Sequence, residues 1–310
     1  MTKAGKIRIR QFREDLYLIS LPVAIRGFEG FIGAWVHTGN PVVIVDVGPA
    51  ATVPDLLSAL AELDAGAPEL ILLTHIHIDH AGGVGAVAKA FPGATVICHP
   101  RGVEHLIDPE RLWQGSLKTL GDIARSYGAI PPLSAGQVLP SDQLNTPGIT
   151  CIDTPGHAVH HISFLMGDLL FAGEVGGVHL PIEGVQTYLR PATPPRFFLE
   201  TSLESIDRVL AESPRVICYG HIGMRQEASR MLGAHRDQLL RWRDMIRPFF
   251  EDARGRQDLE AMRACSRHLL ENDPLLAGYG KLAPEVKERE RGFMLNSIKG
   301  YWGYLTADSG

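Results

Sequence analysis

Residues 70–83, LILLTHIHIDHAGG, place three histidines and an aspartate directly after an apolar run. The run Leu70–Leu73 is short, apolar and β-branched in part, which predicts a buried strand. The small residues of Ala81–Ala90 that follow predict a helix. The polar residues therefore occupy the turn between a strand and a helix, where side chains are held by a rigid frame on both sides.

The four polar residues of this turn are His75, His77, Asp79 and His80. In an extended exit from a strand, His75 and His77 project to one side because side chains alternate, and Asp79 and His80 swing toward the same pocket as the chain bends. Imidazole binds Zn, Fe and Ni, whereas carboxylate tolerates harder metals. The cluster therefore predicts a metal site for two adjacent ions, with Zn, Fe and Mn all compatible.

The surrounding sequence alternates strand and helix patterns. Basic residues between Lys3 and Arg13 alternate with isoleucines, which predicts an edge strand, and a run of short strands ending in Pro41–Val47 is typical of an antiparallel meander. Helical periodicity predicts helices at Val53–Leu63 and Leu112–Tyr127. Because the order of strands and helices roughly recurs in each half, we expect an α/β protein with two β/α layers stacked face to face.

Composition excludes several classes of protein. The chain has 310 residues, 45% of them apolar, and a formal charge of −5, which is typical of a globular protein with a large core. Acidic residues outnumber basic ones, 35 to 30, so we expect no nucleic-acid partner. No apolar run approaches the ~18 residues of a membrane span. The four cysteines lie far apart without CxxC spacing, and no export signal is evident, which favours a cytoplasmic location.

Three more ligand-type residues follow predicted strands. His157 ends Thr154-Pro-Gly-His, His221 ends Cys218-Tyr-Gly-His, and Glu174 follows an apolar strand ending in Ala172-Gly173. A lone histidine after a strand is more often a surface or hydrogen-bonded residue. Two of them beside a compact cluster favour a shared metal site.

Other catalytic motifs fit the sequence less well. The spacing Gly83-Val-Gly-Ala-Val-Ala88 matches a dinucleotide fingerprint, but ligand-type residues occupy the strand end where its first glycine should lie. The sequence contains no HExxH, GxSxG or GxxxxGK[ST], which argues against a zincin, an α/β-hydrolase and a P-loop enzyme. Hydrolysis assisted by a metal is the simplest interpretation.

Taken together, the motifs resemble those of the metallo-β-lactamase superfamily, and more narrowly its glyoxalase-II-like hydrolases. The likeness covers about residues 15–225 and implies a four-layer αββα sandwich with a helical C-terminal extension. By this resemblance two divalent metal ions are bound, with Zn as the first choice and Fe or Mn as alternatives. One metal would be held by His75, His77 and His157, the other by Asp79, His80 and His221, with Glu174 near the place of a bridging aspartate.

Other polar residues are expected around the metals. Asp46, which matches the family's early aspartate, is expected either to fix a ligand histidine or to serve as a structural cap. His161 falls inside a predicted strand and is interpreted as structural, with His160 as the substitute ligand. The family usually has aspartate where Glu174 stands, and the extra methylene must retract the backbone or restrict the carboxylate to one metal.

These assignments predict a dinuclear hydrolase that uses a metal-bound hydroxide on a small thioester, lactone, ester or phosphodiester. Asp79 would orient the hydroxide and collect its proton, which makes it the catalytic residue. A signalling or binding protein that keeps the metal site with little turnover is the alternative.

The C-terminal part is predicted to be helical. We expect a catalytic domain over residues 1–225 and a lid or dimerisation region over 226–310, so a homodimer is a possible assembly. Trp113, Tyr188 and Arg190 are expected to contact a small-molecule substrate. Arg190 could meet an anionic group of that substrate, and the alternative is a surface position or a role in anchoring the proline-rich linker.

Overall fold

Two β-sheets face each other in the computed structural model, which describes residues 8–256 and 258–308. The first sheet has seven strands in chain order, antiparallel from the first to the fourth and parallel from the fourth to the seventh. Its strands are β1 (Arg8–Arg13), β2 (Leu16–Leu21), β3 (Ile32–His37), β4 (Val43–Val45), β5 (Leu70–Leu72), β6 (Thr95–Cys98) and β7 (Val138–Pro140). The predicted edge strand is β1; Lys3 and Lys6 lie outside the described residues.

The second sheet has five strands in the order β14-β13-β10-β9-β8. Only β10 and β13 run parallel, and the hairpin of β9 and β10 was expected from the Gly167-Asp168 turn. The strands are β8 (Ile149–Asp153), β9 (Ile162–Met166), β10 (Leu169–Gly173), β13 (Val216–Tyr219) and β14 (Met224–Gln226), while β11 (Val178–His179) and β12 (Leu189–Arg190) form a separate pair.

Alternating side chains of both sheets form a buried layer between them. Leu18, Trp35 and Val45 from the first sheet pack in one cluster with Phe164 and Phe171 from the second. The indole Nε1 of Trp35 also donates to a backbone oxygen of the second sheet, that of Tyr219, at 2.9 Å. Because the opposite side chains of the same strands are apolar as well, both outer faces need helices to cover them.

Helices cover both outer faces, which completes the predicted αββα sandwich. α1 (Val53–Leu63) and α3 (Val84–Ala90) pack beside the first sheet, and α7 (Leu199–Ala211) packs on the second. The remaining short helices are α2 (Ile78–Ala81), α4 (Val103–Ile107), α5 (Glu110–Leu120) and α6 (Asp122–Tyr127).

Two predicted helices are each divided in two. The helix expected at Leu112–Tyr127 is broken at Gly121, whose φ of 57° ends α5 before α6 begins. The helix expected at Ala81–Ala90 is also interrupted, because Ala81 is the last residue of the four-residue helix α2 and α3 begins only at Val84. Apolar periodicity could not show these breaks, because it continues across them.

Three long helices follow the second sheet: α8 (Ala228–Asp252), α9 (Leu259–Asn272) and α10 (Pro284–Asp308). Trp242 of α8 and Tyr301 of α10 are fully buried and belong to the same apolar cluster as Ile217 of β13. These helices therefore extend the core of the sandwich. Within residues 8–256 and 258–308, no helix combines the length and apolarity that a membrane span requires.

A buried ion cluster joins α10 to β12 and to Tyr188, the residue directly before that strand. Glu290 is fully buried; its Oε2 accepts from Arg190 Nε at 2.6 Å and from the Tyr188 hydroxyl at 3.1 Å. Its Oε1 accepts from Arg289 Nε at 3.1 Å and Nη2 at 3.0 Å. One carboxylate thus satisfies two buried guanidinium groups and a phenol.

We expect Glu290→Ala to lower the free energy of unfolding by about 3–5 kcal/mol, because it leaves Arg190 and Arg289 buried without their anion. Chemical denaturation monitored by tryptophan fluorescence measures this loss. The matched control is Glu288→Ala, an exposed position two residues earlier in α10, which should change stability by less than ~0.5 kcal/mol. Equal stabilities of the two variants would contradict the role given to the ion cluster.

Candidate metal site

The turn after β5 gathers the four polar residues at the rim of the sandwich. His77 still has extended backbone and immediately precedes α2, so the chain changes direction between His77 and Asp79. The ring centroid of His75 lies 4.6 Å from that of His77 and 4.2 Å from that of His80. The predicted convergence of the cluster is therefore present in the structure.

His157 and His221 approach this cluster from two loops of the second sheet. His157 follows β8 and His221 follows β13. Ligand-type atoms of His75, His77 and His157 all lie within 4.8 Å of one another, and those of Asp79, His80 and His221 do likewise. The closest approach is 2.9 Å between His157 Nε2 and His77 Nδ1. The structure thus brings together two triads with the membership that the sequence predicted.

Glu174 lies between the two triads. It follows Gly173, whose positive φ of 54° turns the chain at the end of β10. Its Oε1 lies 2.7 Å from Nε2 of His221, and its Oε2 lies 2.7 Å from Nδ1 of His157. The longer side chain of glutamate therefore spans from one triad to the other.

Unpaired polar atoms test whether these residues fit a metal. Nδ1 of His157 donates to the Ala192 carbonyl at 2.6 Å, so its proton is not available to the nearby Oε2 of Glu174. That oxygen has no hydrogen-bond partner, and neither have three buried imidazole nitrogens: Nε2 of His75, Nε2 of His80 and Nδ1 of His221. Burying such atoms unpaired costs about 1–3 kcal/mol each. Cations would supply the missing partners, so the donor set fits metal ions.

Asp46 organises two of the ligand-type histidines. It has a positive φ of 57° at the end of β4, a conformation that few side chains adopt without strain. Its carboxylate accepts from the Thr74 backbone N–H and hydroxyl, both at 2.8 Å, and contacts Nδ1 of His80 at 2.9 Å. Since the Thr74 hydroxyl donates to Asp46, its oxygen accepts from Nδ1 of His75, 3.0 Å away. In both imidazoles Nδ1 makes the hydrogen bond, which leaves Nε2 as the atom available to a metal.

His161 holds the backbone of Glu174 by a hydrogen bond. Its Nε2 accepts from the backbone N–H of Glu174 at 2.9 Å, so its Nδ1 carries the proton and donates to the Thr154 hydroxyl at 2.8 Å. The interpretation of His161 as a structural residue agrees with these bonds. His160 lies farther out: its ring is parallel to that of His75, with centroids 6.3 Å apart, and it belongs to neither triad.

Electrostatics differ from residue to residue within the two triads. Burial, and after it the neighbouring imidazoles, holds the pKa of His75 and His77 well below the usual range, so both are neutral. Burial would also lower the pKa of His80, but Asp79 and Asp46 outweigh it and raise that pKa to about 9. Against the effect of burial, His157 and His221 hold the pKa of Glu174 well below its usual value. The centre combines the neutral imidazoles of His75 and His77 with the ionised carboxylate of Glu174, and these are ligand types that divalent cations accept.

The residues predicted to contact substrate lie elsewhere. Tyr188 and Arg190 are buried and bonded to Glu290, so they form part of the ion cluster that anchors α10. The expectation that Arg190 is available to an anionic substrate is not supported, because Glu290 already neutralises it. Trp113 is half-buried on α5 and packs against the apolar core.

Phe31 is a neighbour of the site that sequence reasoning missed. Its ring stacks on the imidazole of His221, with centroids 4.1 Å apart and planes 20° apart. It lies in the loop before β3, far from His221 in the sequence, and a phenylalanine after a glycine carries no signal of such a contact. Thr74, by contrast, directly precedes His75 and could have been suspected from its position alone.

Fold and site together define a metallo-β-lactamase-like protein, and comparison with known sequences agrees. Residues 33–221 match the family model of the metallo-beta-lactamase superfamily, so the chain belongs to that superfamily. A relative, the metallo-beta-lactamase fold-containing protein ST1585 of Sulfurisphaera tokodaii, is 28% identical over 234 residues, which are 72% of this chain and 84% of the relative.

Two further comparisons show a shared fold and a partial sequence likeness. The crystal structure of ST1585 from Sulfolobus tokodaii has a TM-score of 0.66 at 23% identity, covering 92% of this chain and 97% of that one, which shows the shared fold. The hydroxyacylglutathione hydrolase of Salmonella paratyphi A is 32% identical over 164 residues. That match spans about half of each protein, 50% of this chain and 52% of the relative.

We expect Asp46→Asn to weaken metal binding by about 10- to 100-fold, because an amide cannot accept from Thr74 and His80 as the carboxylate does. Competition between the protein and a chelator for Zn²⁺ measures the affinity. Asp64→Asn is the matched control, since Asp64 is exposed and also has a positive φ, of 48°, that asparagine tolerates. An unchanged affinity in Asp46→Asn would refute the role of Asp46.

Proposed function

We propose that this protein is a metal-dependent hydrolase with a two-metal site, acting on a small thioester. The observation that carries the proposal is the pair of triads with Glu174 between them and four buried atoms lacking a partner. Superfamily membership supports the same class of chemistry.

The residues of the two triads would hold the metals. His75, His77 and His157 would bind one ion, and Asp79, His80 and His221 the other, with Glu174 contacting either or both. Divalent cations in such sites lower the pKa of bound water to about 7 and polarise a substrate oxygen. Zn is the first candidate because imidazoles dominate the ligands, and Fe or Mn would also suit them.

Asp79 is the residue proposed to act on the attacking water. Its side chain keeps about 23% of its surface exposed, whereas that of His80 keeps 2%, so Asp79 faces the open side of the centre. From that position its carboxylate would accept a proton from the attacking water and orient it toward the substrate carbonyl. The carbon–sulfur bond would then break, and the thiol would leave with a proton.

A thioester is favoured over the other bonds by the relatives. The hydroxyacylglutathione hydrolases that match this chain act on an acyl group carried by a thiol compound, as their name states. The same metal centre could also hydrolyse a lactone, an ester or a phosphodiester. These three bonds are therefore included in the test.

The test reconstitutes the purified protein with Zn²⁺, Fe²⁺ or Mn²⁺, counts bound metal by mass spectrometry, and screens hydrolysis of one probe for each of the four bonds. We expect two equivalents of metal and fastest turnover of the thioester. Two bound metals with turnover of another bond would correct the substrate class. One metal or none, with no turnover of any probe, would instead favour a binding or signalling protein.

His77→Ala should remove one metal and abolish turnover while changing stability only modestly, because His77 supplies a ligand atom and little of the core. Metal counting and probe hydrolysis measure the two effects. His105→Ala, a partly exposed histidine on α4, is the control and should behave as the parent protein does. Full activity of His77→Ala would contradict the assignment of the first triad as a metal site.

A further inference from the structure

The N-terminal half of α10 reaches the candidate metal centre through one aromatic ring. The guanidinium carbon of Arg289 lies 3.9 Å from the ring centroid of Phe31, whose ring in turn stacks on His221 at 4.1 Å. Arg289 and Phe31 are both buried. Both also lie outside residues 33–221, the part of the chain that matches the family model.

Arg289 and His221 must lie on opposite faces of the Phe31 ring. Each planar group is centred about 4 Å from the same ring centroid, and one phenyl face has no room for two such groups side by side. The three side chains therefore form a single stack of guanidinium, phenyl and imidazole. Stacking of a cation on a desolvated ring stabilises such an arrangement, because the ring face carries partial negative charge.

Arg289 is itself held rigidly. Its Nη1 donates to the Gly27 carbonyl at 2.6 Å, and Glu290 accepts from its other nitrogens. At Gly27 the backbones pack so closely that a Cβ would collide with the carbonyl oxygen of Glu285. The outer end of the stack is thus fixed by the contact between α10 and the loop before β3.

The inner end of the stack is a residue of the second triad. Glu174 fixes one nitrogen of His221 at 2.7 Å, which leaves the ring free to tilt about that contact unless something holds its plane. Phe31 covers one face of the imidazole and restricts that tilt. The unpaired Nδ1 of His221 is therefore kept in one direction by packing as well as by hydrogen bonding.

We propose that Phe31 and Arg289 are positioning residues for His221, and that helix α10 thereby sets the affinity of one of the two metal sites. This inference rests on the two-metal site of the proposed function, but not on its hydrolytic activity. No residue of the first triad belongs to the stack, so substitutions within the stack are expected to leave that triad's affinity unchanged.

The test titrates the metal-free 310-residue chain with Co²⁺ alone and follows the two binding steps by visible absorption. In Phe31→Leu we expect the second triad to bind about 10- to 100-fold more weakly and its absorption band to change, while the first triad is unaltered. Phe250→Leu is the matched control, because Phe250 is a buried phenylalanine that packs edge-on against Trp302 at 5.6 Å and belongs to neither the stack nor the triads.

A second pair of variants acts at the other end of the stack. Arg289→Met should weaken the same step, and Arg291→Met, an exposed position on the same helix, should leave both steps as in the parent. If Arg289→Met fails to fold, Phe31→Leu still decides the matter, since it keeps the Arg289–Glu290 pair.

The outcomes separate this proposal from the function it rests on. A parent protein that binds fewer than two Co²⁺ ions contradicts the proposed two-metal site. A parent that binds two ions, together with a Phe31→Leu variant that binds both as tightly or loses both equally, overturns the positioning role alone. Selective weakening of one step supports it whether or not the protein hydrolyses any probe.

Discussion

Buried polar atoms that lack a hydrogen-bond partner dominate the energetics of the candidate metal site. Imidazole nitrogens of His75, His80 and His221 and one oxygen of Glu174 are removed from water without a hydrogen-bond partner. Such burial is tolerated only when another group or an ion supplies the lost interaction. The features around the centre, from the strained backbone of Asp46 to the stack on His221, hold these atoms together against that cost.

The two β-sheets bring these polar side chains close together. Loops that follow β5, β8, β10 and β13 all meet at one rim, so residues far apart in sequence are delivered to one place by rigid strands. Hydrogen bonds then settle the details: the Thr74 hydroxyl links Asp46 to His75, and His161 fixes the backbone of Glu174. Because each link is buried, these hydrogen bonds hold the ligand-type side chains in a defined orientation.

Much of this was predictable from the sequence, because the decisive signals are local. The HxHxDH turn follows from an apolar run and a small-residue helix, and His157 and His221 stand out because each follows a strand and a glycine. Contacts between residues far apart in the chain leave no comparable signal in the local sequence. Arg190 looked available to a substrate because its counter-ion, Glu290, lies about a hundred residues away. The stack through Phe31 likewise joins three distant segments, and the breaks at Gly121 and Val84 interrupt helices without interrupting their apolar pattern.

The position of Arg289 near the end of the chain has a consequence for biosynthesis. A ribosome adds about 5–20 residues per second, so Arg289 is made several seconds after the histidine that it helps to orient. The sheets can form in that interval, but on the proposed role of Arg289 the second triad lacks its outer support until α10 docks. Ion uptake at that triad would therefore report the docking of α10, not merely the folding of the sheets.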